Sequence, residues 1–201
     1  MGIHRAEFLC SSQKWEQCPT PDRGEVAFIG RSNVGKSSLI NMLTRHGALA
    51  KVSGTPGKTQ LINHFLIDND WYLVDLPGYG FAKISKKGRA SLEQMIKGYV
   101  ANRENLYCLF ILLDVRHEPQ RIDVEFMQWA AEQGVAIALI MTKADKLSKT
   151  ALPKQVAAYR EALLEYWEEC PPMFVSSAEK GIGRDEIIEF IESFIHGGGE
   201  E

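Results

Sequence analysis

GRSNVGKSS (Gly30–Ser38) follows the apolar run EVAFIG (25–30) and opens a stretch, 36–45, that reads as a helix. Gly30, Gly35, Lys36 and Ser37 fill every fixed position of the pattern G-x-x-x-x-G-K-[ST]. Glycine lets the backbone wrap closely round a phosphate with several N–H groups pointing inward. Lys36 places a point charge on the outer phosphates and Ser37 offers a hydroxyl to Mg²⁺. The helix that follows presents its N-terminus to the same anion. The pattern needs a strand before it and a helix after it, and both are legible. The stretch reads as a phosphate cradle.

The 201 residues are 45% hydrophobic and 24% charged, ordinary values for one globular domain. A net charge of −3 gives no global reason to expect nucleic-acid binding, so such a role needs a local patch. The apolar runs at 107–113 and 135–141 are too short to cross a bilayer. MGIHRAEFLC carries no apolar signal region, and Ala6 stands where a myristoylation pattern needs Ser or Thr. A cytoplasmic protein is expected. The four cysteines form no C-x-x-C pair, which favours a reduced chain, and Cys108 reads as a small core residue. No second histidine follows His117–Glu118 at metal-binding spacing, so no protein-bound zinc is expected.

Short apolar runs alternate with amphipathic stretches. Strands are expected at 25–30, 60–68, 71–78, 107–115, 135–142 and 173–177, the second and third forming a hairpin through Asp68–Asp70. Leu92, Met95, Ile96, Tyr99 and Val100 mark a helix over 91–103; Ile122, Phe126, Trp129 and Ala130 mark the next. Leu152, Val156, Tyr159, Leu163 and Tyr166 share a further helical face, and Ile187, Ile191, Phe194 and Ile195 line the last. This pattern predicts an α/β fold: a mostly parallel six-stranded sheet with one antiparallel strand and helices on both faces. Ligands bind such sheets at the carboxyl ends of the strands, where every motif here begins.

TKAD (142–145) ends one buried strand. An Asp145 carboxylate can accept from guanine N1–H and the N2 amine together, whereas adenine offers it an unprotonated N1. Lys143 can lie along the base, and Thr142 can tie this loop to the cradle. SSA (176–178) could offer backbone N–H to the guanine oxygen. DLPG (75–78) ends another strand, with Asp75 placed to hold Mg²⁺ through water and the Gly78 N–H to touch a γ-phosphate. Between the cradle and DLPG, SGTPGKTQ (53–60) offers Thr55 or Thr59 to the metal, and could order with triphosphate and relax after hydrolysis.

GRSNVGKSSLIN, TPGKTQLIN, VDLPGYGFA, DVRHEP and TKADKL together resemble the EngB (YihA/YsxC) family of bacterial GTPases, a branch of the Ras-like, translation-factor-related class. The resemblance spans roughly residues 6–195. It implies a P-loop G-domain over 23–195, an N-terminal extension (1–22) packed on it, and a flexible tail (196–201). It also implies a Mg²⁺-dependent GTPase switch that assists assembly of the large (50S) ribosomal subunit and supports cell division and septation; a monomer is expected. Carried over residue by residue, the phosphate loop is Gly30, Arg31, Ser32, Asn33, Val34, Gly35, Lys36, Ser37 and Ser38. Gly57, Lys58, Thr59, Gln60 and Leu61, with Asp75, Leu76, Pro77 and Gly78, form the γ-phosphate sensors. Thr142, Lys143, Ala144 and Asp145 read the base, with Val175, Ser176, Ser177 and Ala178 closing over it. Ser37, Thr59 and, through water, Asp75 hold Mg²⁺; Lys36, Thr59 and Gly78 stabilise the transition state.

Many GTPases orient the attacking water with Gln directly after the D-x-x-G glycine; here that residue is Tyr79, whose expected role is packing. Slow intrinsic turnover follows, on the order of 10⁻⁴ to 10⁻³ s⁻¹ as in unassisted GTPases. Asn33 either shapes its turn or resembles the asparagine through which some GTPases hold a stimulating K⁺. Lys83, Lys86, Lys87 and Arg89 form a basic cluster just past the sensor, a candidate contact for ribosomal RNA. Two rival readings are a P-loop phosphotransferase acting on a small acceptor and a nucleotide-dependent scaffold at the division site.

Overall fold

The structure, a computed structural model, describes residues 2–50, 60–80 and 85–197. Seven strands run in chain order: β1 (Ala6–Ser12), β2 (Glu25–Gly30), β3 (Ile62–Ile67), β4 (Trp71–Asp75), β5 (Leu106–Asp114), β6 (Ala136–Thr142) and β7 (Met173–Val175). They form one sheet in the order β1-β3-β4-β2-β5-β6-β7. β3 runs antiparallel to both its neighbours, β1 and β4; every other pairing is parallel. The expected sheet had six strands. The seventh, β1, escaped detection because a bulge between Phe8 and Cys10 breaks its alternation and leaves Phe8 and Leu9 both exposed.

Helices α1 (Lys36–Thr44), α2 (Lys86–Asn102), α3 (Arg121–Glu132), α4 (Ala151–Leu163) and α5 (Arg184–His196) cover the two faces. Strand alternation divides the core. Val26, Phe28, Phe110, Leu112 and Ile140 face α1 and α5, while Ala27, Ile29, Leu109, Ile111 and Met141 face α2, α3 and α4. Cys108 is fully buried, as expected of a core thiol. No helix among the described residues is long and apolar enough to cross a membrane.

Three local expectations need correcting. α2 starts at Lys86, not 91, because the Ser85 hydroxyl accepts from the Gly88 N–H at 3.1 Å and caps it. α4 stops at Leu163, so Tyr166 lies beyond it and is 50% exposed. The buried stripe of α3 runs through Val124, Met127 and Ala130, leaving Ile122 at its exposed margin.

At the amino end of β2, the Glu25 carboxylate is fully buried. It accepts from Arg103 Nε at 3.0 Å and Nη2 at 2.9 Å, from His64 Nε2 at 2.9 Å and from the Tyr99 hydroxyl. Burial pushes this carboxyl up, but hydrogen bonds and charge from His64 and Arg103 outweigh it and hold the group below its ordinary value. Arg103 also donates to the Pro19 carbonyl at 2.8 Å, so β2, β3, α2 and the segment after β1 meet at one charge.

Candidate nucleotide site

Four segments converge at the carboxyl edge of the sheet. The phosphate loop leaves β2 at Gly30, where a Cβ would meet Val34 Cγ1 at 2.7 Å and the Leu112 carbonyl at 3.0 Å, so no side chain fits. Asn33 and Gly35 both take left-handed conformations, φ +63° and +98°. Gly35 then caps α1, whose first-turn amides follow directly at Lys36 and Ser37. Asn33 therefore has the turn-shaping geometry; left-handed backbone is a conformation asparagine tolerates.

The Lys36 ammonium lies against the Asp75 carboxylate and donates to the Leu76 carbonyl at 2.6 Å, so the sensor segment borders the cradle directly. Leu76, Pro77 and Gly78 are buried behind Asp75. Gln60 and Leu61 precede β3; Gly57, Lys58 and Thr59, the alternative Thr55, and Lys83 all lie outside the described residues, as do 198–201 of the tail.

The base motif is braced to the cradle from β6. The Thr142 hydroxyl donates to the Val34 carbonyl at 2.7 Å, and Lys143 Nζ donates to the Asn33 carbonyl at 2.8 Å. Asp145 accepts from the Ser177 hydroxyl at 2.8 Å, which contributes most to holding its carboxyl below the ordinary value and keeps it an acceptor. Ala144 N–H donates to the Ser176 carbonyl at 3.0 Å, joining this loop to the one that follows Val175.

That second loop refines the expected base contact. The Ser176 amide is engaged by the Met141 carbonyl and the Ser177 amide by the Ile182 carbonyl. Ala178 carries the next amide, and no hydrogen bond from it is found among the described residues. The loop closes at Gly183, φ +86°, where a Cβ would approach the Val175 carbonyl to 2.2 Å.

Tyr79 is turned away from the cradle. Its ring stacks on Phe126 at 4.5 Å and its hydroxyl donates to Asp123 Oδ1 at 2.8 Å. The packing role expected for Tyr79 is the one its side chain takes here. Two acidic residues went unassigned in the sequence. Asp123 is one; burial pushes its carboxyl up, only partly offset by the Tyr79 bond and the Arg31 charge. Asp114, at the end of β5, is the other. It accepts from Arg116 Nε at 2.9 Å and Nη2 at 2.7 Å and lies 3.5 Å from Lys143 Nζ. Burial opposes its ionisation, but Arg116 and Lys143 bring its pKa down to about 2. Asp114 thus holds Lys143 beside the phosphate loop. Its placement within DVRHEP, at a strand end, was the available signal.

Residues 25–143 match the family described as 50S ribosome-binding GTPases. The chain is 53% identical over 193 residues to the probable GTP-binding protein EngB of Porphyromonas gingivalis, covering 96% of each. The EngB protein of Phocaeicola vulgatus is 55% identical, again with 96% of each chain covered. The chain belongs to the EngB family of GTP-binding proteins. A crystal structure of an EngB protein superposes with a TM-score of 0.70 at 26% identity, covering 87% of this chain and 100% of that one. The EngB fold extends to Era bound to MgGDPNP and a segment of 16S ribosomal RNA, TM-score 0.68. At 23% identity that likeness concerns architecture alone; it covers 89% of this chain and 58% of that one. This EngB protein is a GTPase with the P-loop GTPase fold.

Proposed function

We propose that this GTPase is a cytoplasmic, monomeric switch in assembly of the large (50S) ribosomal subunit, and that its support of division and septation follows from that role. The observation that carries the reading is the start of α2. Lys86, Lys87 and Arg89 are exposed in its first turns, with no acidic residue in the first turn. Cations at a helix N-terminus oppose the macrodipole, so helix stability does not account for them. Summed with the dipole, they make a positive site suited to RNA phosphates, beginning eight residues after Gly78. The match to a family described as 50S ribosome-binding supports the same partner.

At the nucleotide, Gly30 to Ser38 wrap the phosphates, Asp145 and the Ala178 amide read guanine, and Thr142 and Lys143 hold base and phosphate subsites together. Binding exchanges the Lys36–Asp75 contact for Lys36 on phosphate. Ser37 and Thr59 would supply hydroxyls to Mg²⁺ and Asp75 a carboxylate acting through water, hard oxygen donors suited to that ion. The bound Mg²⁺ would neutralise charge on the β- and γ-phosphates. Lys36, Thr59 and the Gly78 amide stabilise the transferring phosphoryl group.

Depletion of the protein should accumulate immature large subunits on sucrose gradients, and these particles should bind the GTP-loaded protein. Reversing the charges at Lys86, Lys87 and Arg89, with Lys83, should abolish that binding. A normal subunit profile would favour the division-site scaffold instead. Asn33 is further proposed as a K⁺ ligand, the cation standing where other GTPases use an arginine finger. Hydrolysis should then run faster in KCl than in NaCl; equal rates, with and without ribosomal particles, would remove K⁺ from the mechanism.

A further inference from the structure

Gly78, as a γ-phosphate sensor, acts through a backbone amide and has no side chain by which to be held. Pro77, directly before it, has no N–H, and the chain on that side is anchored at Leu76, whose N–H donates to the Phe28 carbonyl at 3.0 Å; on the other side the anchor is Tyr79. Tyr79 supplies three attachments. Its N–H donates to the Gly30 carbonyl at 3.2 Å, its ring stacks on Phe126, and its hydroxyl reaches Asp123 Oδ1. Asp123 is 5% exposed in the first turn of α3, and Arg31 Nε stands 3.6 Å from the same oxygen. Gly80, φ +74°, fits between the same two walls: a Cβ there would meet Ile122 Cδ1 at 2.9 Å and Arg31 Cδ at 3.3 Å. The chain immediately after Gly78 is therefore clasped between the phosphate loop and α3.

A carboxylate this buried is costly unless hydrogen-bonded, and its hydrogen-bonding side-chain partner belongs to the residue directly after the sensor. We infer that Asp123 is a positioning residue for triphosphate recognition, fixing the Gly78 amide through Tyr79. The inference rests on the assignment of Gly78 to the γ-phosphate. It gives Tyr79 a use in the reaction that neither contacts water nor replaces glutamine. Because GDP lacks the group Gly78 touches, the clasp acts on GTP affinity and leaves GDP affinity alone. A residue serving only to stabilise the fold would affect both nucleotides together.

The test is equilibrium binding of a non-hydrolysable GTP analogue and of GDP to the wild type and four variants, each checked for folding by circular dichroism. Tyr79→Phe keeps the ring stack and loses the hydroxyl; Asp123→Ala loses the acceptor; Asp123→Asn keeps an acceptor oxygen; Gly78→Pro removes the sensing N–H itself. Tyr79→Phe and Asp123→Ala should weaken the GTP analogue roughly tenfold, the scale of one lost hydrogen bond to a charged group, with GDP within twofold. Asp123→Asn should recover most of the loss. Should Asp123→Ala unfold, Tyr79→Phe decides alone. Equal losses for both nucleotides, no loss, or no recovery with Asn would overturn the inference. A nucleotide preference moved by Gly78→Pro but not by Tyr79→Phe sinks the clasp and leaves the sensor standing. A preference unmoved by Gly78→Pro sinks both.

Discussion

Asp145→Asn should lower GTP affinity by roughly 10³- to 10⁴-fold and make xanthosine triphosphate the preferred ligand. Guanine presents two donors, N1–H and the N2 amine, to a carboxylate that accepts through two oxygens. Ser177 and the lowered pKa keep that carboxylate ionised and oriented. Asparagine replaces one acceptor with an NH₂ donor, which then opposes the guanine amine. Xanthine carries a carbonyl at the same carbon and so pairs with the new donor. The fold should not change, because the carboxamide oxygen can still accept from Ser177. Competition of the two triphosphates against labelled GDP reads the effect, and GTP affinity retained within tenfold would remove Asp145 from base recognition.

The largest expected loss of stability comes from the opposite end of the sheet. Glu25→Ala strands the Arg103 guanidinium, which is almost wholly buried, and frees the Tyr99 hydroxyl and His64 ring nitrogen from their acceptor. Removing one partner of a buried ion pair typically costs about 3–5 kcal/mol. With a urea slope of about 2 kcal/mol/M, the unfolding midpoint should fall by roughly 1.5–2.5 M. Glu25→Gln keeps the volume and one acceptor oxygen and should fall between the two. The pH dependence has a definite sign. The folded pKa lies below the ordinary 4.5, so the Glu25 contribution is complete above about pH 4.5 and is lost as pH falls through the folded value. The gap between wild type and Glu25→Gln in urea midpoints should narrow with acidification through that window. A gap that widened would contradict a depressed folded pKa.

The cradle was legible because its fixed residues sit within eight positions of one another. Gly35 meets a dihedral demand of the turn, Gly30 a steric one set by Val34 and, from β5, Leu112, and Lys36 and Ser37 follow Gly35 directly in the first turn of α1. TKAD was legible for a different reason, since a hydrophobic strand announces where its end must lie. Strand β1 was not, because its bulge hides the alternation and its pairing partners lie 50 or more residues away in β3. Nor could spacing reveal that Tyr79 meets Asp123, 44 positions on, or that Glu25 meets Arg103, 78 positions on. Each of those pairs is brought together by the sheet order, which a linear pattern does not encode. The start of α2 was placed late because Lys86–Ala90 carry no apolar stripe, while the signal that begins the helix is a single serine hydroxyl.

Both ties between the base motif and the phosphate loop end on main-chain oxygens, those of Val34 and Asn33. Such a joint is indifferent to which side chain occupies position 33, provided the residue accepts a positive φ. The Asn33 carboxamide is thus a separable part. Mechanical coupling of the two halves of the site belongs to the polypeptide backbone, and the amide group above it is left at liberty to be chosen for chemistry.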